Sequence, residues 1–179
     1  PKNRNTLIIE NSSFVNTEII HGGYHSGINV LIKNSEIQNC NINWTSPGEE
    51  YFNFDNCNIS SSIFTFGKYS QCQILNSKVT STEFRSDYTY SVRISANNTK
   101  FYDSKFLLNN FNNCILNADK SLFINTPIQS VNYSNTFNFT NSVFSFDGAT
   151  IPVGIQAQKV VMSNSIITSN GEGTAIELQ

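Results

Sequence analysis

Residues 74–84 read ILNSKVTSTEF, and the order of residue types in this stretch recurs along the whole chain. Apolar Ile74 is followed by the small polar pair Asn76-Ser77, then by apolar Val79 and Phe84. The same order stands in IENSSFVNTEI at 9–19, IKNSEIQNCNI at 32–42 and FDNCNISSSIF at 54–64. With Val79 as reference, the equivalents are Phe14, Ile37, Ile59, Phe101, Phe123, Phe144 and Ile167, at steps of 20 to 23 residues. Two residues earlier come Ser12, Ser35, Cys57, Ser77, Thr99, Ser121, Ser142 and Ser165. Three earlier come Asn11, Asn34, Asn56, Asn76, Asn98, Lys120, Asn141 and Asn164. Five and seven earlier the residues are apolar, as in Ile32 with Val30 and Phe54 with Phe52. Five later come Ile19, Ile42, Phe64, Phe84, Phe106, Ile128 and Ala149, and the pattern fails at Glu172.

Apolar residues seven and five before the reference enclose an outward one, which is the period of a β-strand. The step through Asn-Ser breaks that period, so the chain bends at the Asn and starts a second strand. The residue five after the reference marks a further bend and a return inward. Such a coil has three short strands, and stacked coils make a parallel β-helix. A leucine-rich repeat would show its Leu scaffold, and ankyrin or tetratricopeptide repeats need helices. Pentapeptide repeats are the nearest competitor, but they need coil lengths in multiples of five, and most coils here are not. The expected fold is all-β, a single-stranded right-handed parallel β-helix of about eight coils of roughly 22 residues with an Asn ladder. The hand follows from the right-handedness of parallel crossovers. Asn tolerates the left-handed backbone region, and its amide can donate and accept along the stack. Lys120 interrupts the ladder, so a locally different turn is expected there.

Composition agrees. The chain has 179 residues, 27 of them Asn, a residue poor in both helix and strand interiors. Fourteen Phe and seven Tyr argue against disorder, so the Asn residues must sit at fixed turns. A net charge of −2 with 13% charged residues gives no footprint for nucleic acid. No apolar run is long enough to span a bilayer, so no membrane insertion is expected. Residues 1–179 read as one β-helix domain, with ends resembling cuts through a longer chain. Cys40, Cys57, Cys72 and Cys114 form no C-x-x-C and have no His at zinc spacing, so reduced, partly buried thiols are expected.

The units quoted above, with FTNSVFSF at 139–146, resemble the right-handed parallel β-helix repeats of pectate-lyase-like proteins and, most closely in style, phage tail spikes and tail appendages. The resemblance covers essentially the whole chain. It implies a location on a virion tail or cell surface, a homotrimer in the full-length protein, and a polysaccharide or surface glycan as partner. The fold hosts lyases, hydrolases, adhesins and inert stalks alike, so function must be argued from residues that depart from the repeat.

Those departures fall between the third strand of each coil and the first strand of the next. The first four such segments hold His21, Tyr24, His25, Trp44, Glu49, Glu50, Tyr51, Lys68, Tyr69, Arg85, Asp87, Tyr88 and Tyr90. Aromatic rings with nearby carboxylates and cations suit a sugar, whose C–H faces stack on rings while its hydroxyls take polar partners. The expected substrate-binding residues are His21, Tyr24, His25, Trp44, Tyr69, Arg85 and Tyr88. If a glycosidic bond is cleaved, Glu49 or Glu50 with Asp87 supplies the two carboxylates that hydrolysis needs. No aligned Asp column suits a calcium-dependent lyase. His21 and His25 lack a third ligand, so no metal and no cofactor are expected. The first expectation is host-surface polysaccharide recognition. The alternatives are a glycoside hydrolase or lyase with its site among residues 43–93, and an inert stalk or adhesin.

Overall fold

The computed structural model describes residues 5–21, 27–44, 49–86, 91–108, 113–130, 134–148, 150–151 and 153–178. The chain is a right-handed parallel β-helix of about seven turns. Three parallel sheets of eight strands each run along it. The first sheet extends from Asn5–Glu10 to Lys159–Ser163, the second from Ser13–Val15 to Ile166–Asn170, and the third from Glu18–His21 to Thr174–Leu178. No strand pairs with its sequence neighbour; each pairs with the equivalent strand one coil away. Among the described residues there is no α-helix, and hence none long and apolar enough to cross a membrane.

The apolar columns stack as the spacing predicts. Val30, Phe52, Cys72, Ile94, Leu116 and Phe137 are successive register partners, as are Ile37, Ile59, Val79, Phe101, Phe123 and Phe144. Rings therefore pile face to face: Phe101 on Phe123 at 4.8 Å, Phe123 on Phe144 at 4.5 Å, and Phe84 on Phe106 at 4.8 Å between centroids. Offset aromatic pairs of this kind add about 0.5–1.5 kcal/mol each beyond burial.

The first corner is built by Asn in the left-handed region, from Asn11 (φ 52°) through Asn34, Asn56, Asn76, Asn98 and Asn141 to Asn164 (φ 49°). Each ladder N–H from Asn11 to Asn141 donates to a carbonyl in the next coil, as Asn56 does to Leu75 at 3.0 Å. Amides bond directly from Asn56 to Asn34 and from Asn98 to Asn76, while Asn76 and Asn141 donate to Asp55 and Asp119. Lys120 does not change the turn. It takes φ 50° and donates its N–H to Thr140 like its Asn equivalents. The coils on either side dictate the backbone, and the Asp119 carboxylate receives Asn141 in place of the missing amide.

The residue after each left-handed Asn turns its N–H along the axis, where no strand carbonyl waits. A hydroxyl from the next coil accepts it from Ser12 (Ser35, 3.1 Å), Cys57 (Ser77, 3.0 Å), Thr99 (Ser121, 3.3 Å) and, after Lys120, Ser121 (Ser142, 3.2 Å), while Ser35 meets the Cys57 sulfur. Each hydroxyl then donates to the carbonyl two residues earlier, as Ser77 does to Leu75. Without this acceptor each buried N–H would cost about 1–3 kcal/mol.

The second bend lies two residues after the reference, not five. Asn16, Asn39, Ser61, Ser81, Asp103 and Asn125 all have positive φ. A second hydroxyl ladder follows it, with Cys40 donating to Ser62, Ser62 to Thr82, Thr82 to Ser104 and Ser104 to Thr126. The residue five after the reference is inward within the third sheet. In the last two coils that place belongs to Ile155 and Ile176, the register partners that follow Ile128, not to Ala149 or Glu172. The reason is that Val143–Asp147 runs straight past the second corner, and its turn inserts extra residues. All four cysteines are free and buried, and Cys57 and Cys40 occupy hydroxyl positions in the two corner ladders.

Candidate functional site

Where the third sheet passes to the first, the backbone ladder begins one residue before the strands. Gln71 N–H donates to Glu50 at 2.8 Å, Arg93 to Ser70 at 2.9 Å and Ile115 to Val92 at 2.9 Å. Glu50, Ser70 and Val92 are thereby levelled in successive coils, and all three are buried. Alternation turns their neighbours outward. Glu49, Tyr69 and Ser91 form one outward column, and Tyr51, Gln71 and Arg93, which are register partners, form the next.

These columns enclose a cleft of about 260 Å³ lined by Glu49, Tyr69, Ser70, Gln71, Ser91 and Arg93. Tyr69 is 46% exposed and stands at φ 58°. A bulky residue at positive φ is unusual and costs about 1–3 kcal/mol, a strain that gathers at functional sites. The turn holding it is fixed by Gly67 N–H to Trp44 at 2.6 Å and by the Ser70 hydroxyl to Gly67 at 3.2 Å. Gln71 donates its amide to the Tyr51 hydroxyl at 3.0 Å, which orients both side chains. Gly27 lies against the Glu49 backbone; a Cβ there would overlap the Glu49 carbonyl. The cleft thus offers an aromatic face, a carboxylate, an amide and a guanidinium within the space of one sugar unit.

The structure separates the residues nominated from sequence. Glu49 and Tyr69 meet in the cleft. Trp44 does not face solvent: it is 2% exposed and stacks on Phe52 at 3.4 Å inside the tube. It belongs to an inward third-sheet column with Phe66 and Ser86, so its ring serves the core. Glu50 is buried on the inner side of the corner and is not among the residues lining the cleft. Arg85 lies on the outer face of the third sheet, paired to Glu83 at 2.7 Å, with Lys105 against the same carboxylate at 2.5 Å. His21 is the register partner of Trp44. Tyr24, His25, Asp87 and Tyr88 lie outside the described residues. Gln71, Ser91 and Arg93 were missed; their place two residues before or at the start of a first-sheet strand was the available signal.

A larger groove, about 560 Å³, follows the second corner past Ser61, Ser81, Glu83, Asp103 and Lys105 to a wall at Thr150–Ile151. Of its two carboxylates, Glu83 is already ion-paired and Asp103 accepts from the Asn125 amide at 3.4 Å, and the hydroxyls of Ser62, Thr82 and Ser104 are engaged in the ladder. Size alone does not make it the better site, because no aromatic side chain lines it. Among the described residues no three His, Cys, Asp or Glu side chains gather as a metal site. No family model, curated protein or solved structure matches the chain.

Proposed function

We propose that this β-helix is a rigid glycan-recognising rod of a phage tail spike or comparable surface protein, and that the cleft at Glu49, Tyr69, Gln71 and Arg93 seats one sugar of a host polysaccharide. The observation that carries the reading is the cleft itself, where an exposed, strained tyrosine shares a small space with a carboxylate, an amide and a guanidinium. Sugar recognition needs that combination: a ring for the C–H face and charged or amide groups for the hydroxyls. The surface beside the cleft supports an extended ligand. The outward column of the first sheet continues as Asn53, Gln73, Ser95, Asn117 and Asn138. Coils repeat at about 4.8 Å, close to the length of a pyranose, so a linear polysaccharide along the axis meets a hydrogen-bonding group at each sugar.

The test is affinity electrophoresis or calorimetry against capsular and cell-wall polysaccharides. Tyr69→Ala and Arg93→Ala should each weaken binding about tenfold or more, while Lys100→Ala on the second sheet should leave it unchanged. Binding that survives both cleft variants overturns the reading. Reducing-end release in the same mixtures separates hydrolysis from recognition.

A further inference from the structure

We infer that Asn170-Gly171 is a site of spontaneous deamidation and isoaspartate formation, and that the hydroxyl ladders shield the corner asparagines Asn11, Asn39, Asn56, Asn98 and Asn141 from the same reaction. The reaction is intramolecular. The backbone nitrogen of the following residue attacks the Asn side-chain carbonyl carbon, a C–N bond forms, and the amide nitrogen leaves as ammonia with the proton lost by the attacking nitrogen. Water then opens the succinimide to aspartate or isoaspartate, with no change of oxidation state. The attack requires a free following nitrogen and little steric bulk beside it.

In this chain the corner that uses Asn also ties up the nucleophile. The N–H after Asn11 is held by the Ser35 hydroxyl, that after Asn39 by Ser62, that after Asn56 by Ser77, that after Asn98 by Ser121, and that after Asn141 by Ser165. The N–H after Asn113 is held by the Asn135 side-chain oxygen at 2.7 Å. Each nitrogen points along the axis into a neighbouring coil, away from the preceding side chain, and the Asn backbone is fixed at positive φ. The nucleophile is thereby engaged at these six of the chain's Asn-Ser, Asn-Cys and Asn-Thr steps.

Asn170 differs in its exposure and in the residue that follows it. It ends the strand Ile166–Asn170, its side chain is exposed, and the residue after it is glycine at φ 83°. Glycine has no Cβ to obstruct the approach. No other Asn in the sequence precedes Gly.

The modification has a structural consequence. The Asn170 carbonyl accepts the Gly148 N–H at 2.6 Å. A Cβ on Gly148 would come within 2.6 Å of Gly173 N, and one on Gly173 within 2.7 Å of Gly148 Cα. The two turns therefore touch backbone to backbone. Isoaspartate adds a methylene to the main chain at this contact, so it should displace Gly148 and, with it, Thr150 and Ile151, which wall the second-corner groove.

The experiment is storage of the folded chain in mildly alkaline buffer, with peptide mapping by mass spectrometry and isoaspartate detection over time, beside a urea-unfolded sample. In the folded chain, isoaspartate should accumulate at Asn170 about tenfold faster than at Asn11, Asn56, Asn98 or Asn141, and Asn170→Gln should abolish that peptide's product. Unfolding should raise the ladder sites and leave Asn170 little changed. Gly171→Ala, which adds a Cβ beside the attacking nitrogen, should slow the reaction in the unfolded chain, so the assignment does not depend on the variant folding. An unmodified Asn170 in the folded chain, or ladder asparagines that react equally fast folded and unfolded, would overturn the inference.

Discussion

Replacing Ser121 by Ala tests whether the corner hydroxyls hold the tube together. Ser121 is 3% exposed, accepts the Thr99 N–H at 3.3 Å and donates to the Asp119 carbonyl at 2.9 Å. Alanine removes the acceptor and leaves the Thr99 amide buried without a partner, a loss of about 1–3 kcal/mol. No large cavity forms, because only one oxygen is lost. The expected destabilisation is therefore about 2 kcal/mol, read as a fall of about 1 M in the urea midpoint with an unchanged slope. Cys57, in the same corner column three coils earlier, shows that sulfur is accommodated there, 3.4 Å from the Ile32 carbonyl. Ser121→Cys should thus cost less than Ser121→Ala, since a thiol is a weak acceptor where a methyl is none. Ser13→Ala, at an exposed position outside the ladder, should stay within about 0.5 kcal/mol of wild type. A Ser121→Ala protein as stable as the Ser13→Ala control, or a Cys variant worse than the Ala variant, would refute the role of the hydroxyl.

Lys120→Asn should stabilise by about 1 kcal/mol in the same urea titration, because Asn tolerates the φ of 50° better and can extend the amide ladder toward Asn98. Phe123→Ala should cost about 3–5 kcal/mol, since Phe123 stacks on rings both above and below it; a midpoint shift no larger than that of Ser13→Ala would contradict the stacking. Burial pushes the Cys72 and Cys57 thiols above their ordinary 9.0. Their folded-state values are raised, so the associated stability is intact below pH 9.0 and is lost as pH rises beyond it, where only the unfolded chain ionises. Stability measured between neutral and strongly alkaline pH should fall by up to about 1.4 kcal/mol per pH unit per thiol, and Cys72→Val should reduce that slope.

The stacked columns were legible because each coil lies over the last, so one residue type is demanded at one place again and again. The first corner shows this in Asn34, Asn56 and Asn76. The second corner was harder to read because Asn39, Ser61, Ser81 and Asp103 share only a tolerated backbone, not a side chain. The clue lay one residue later, in the hydroxyls of Ser62, Thr82, Ser104 and Thr126. Trp44 was misplaced because its inward column runs from Trp44 and Phe66 to Ser86, with no constant apolar signature. The straight run through Asp147 moved Ile155 and Ile176 into places the period assigned to Ala149 and Glu172. In the cleft, Glu49, Tyr69 and Ser91 are aligned by backbone bonds to the residues that follow them. Each stands ten residues before the reference residue of its coil (Ile59, Val79 and Phe101), so the spacing carried the alignment, but Glu, Tyr and Ser share no residue type that would mark the column.

The contrast between corners explains where divergence is possible. At the first two corners each side chain answers to the coil above and the coil below, so a change there disturbs a ladder. At the third corner the strand-opening N–H groups of Gln71, Arg93, Ile115, Thr136 and Lys159 all donate to a backbone carbonyl of the preceding coil, but the inward column reads Glu50, Ser70, Val92, Cys114 and Asn135, with no repeated side chain; Cys114 N–H takes the Asn135 side-chain oxygen at 2.7 Å. A corner without a repeated side chain can change length and composition without unstitching its neighbours. The exposed tyrosine, carboxylate and guanidinium have collected on the outer side of that corner. A rod whose other corners are locked by repetition can vary its ligand chemistry there at small cost to its fold.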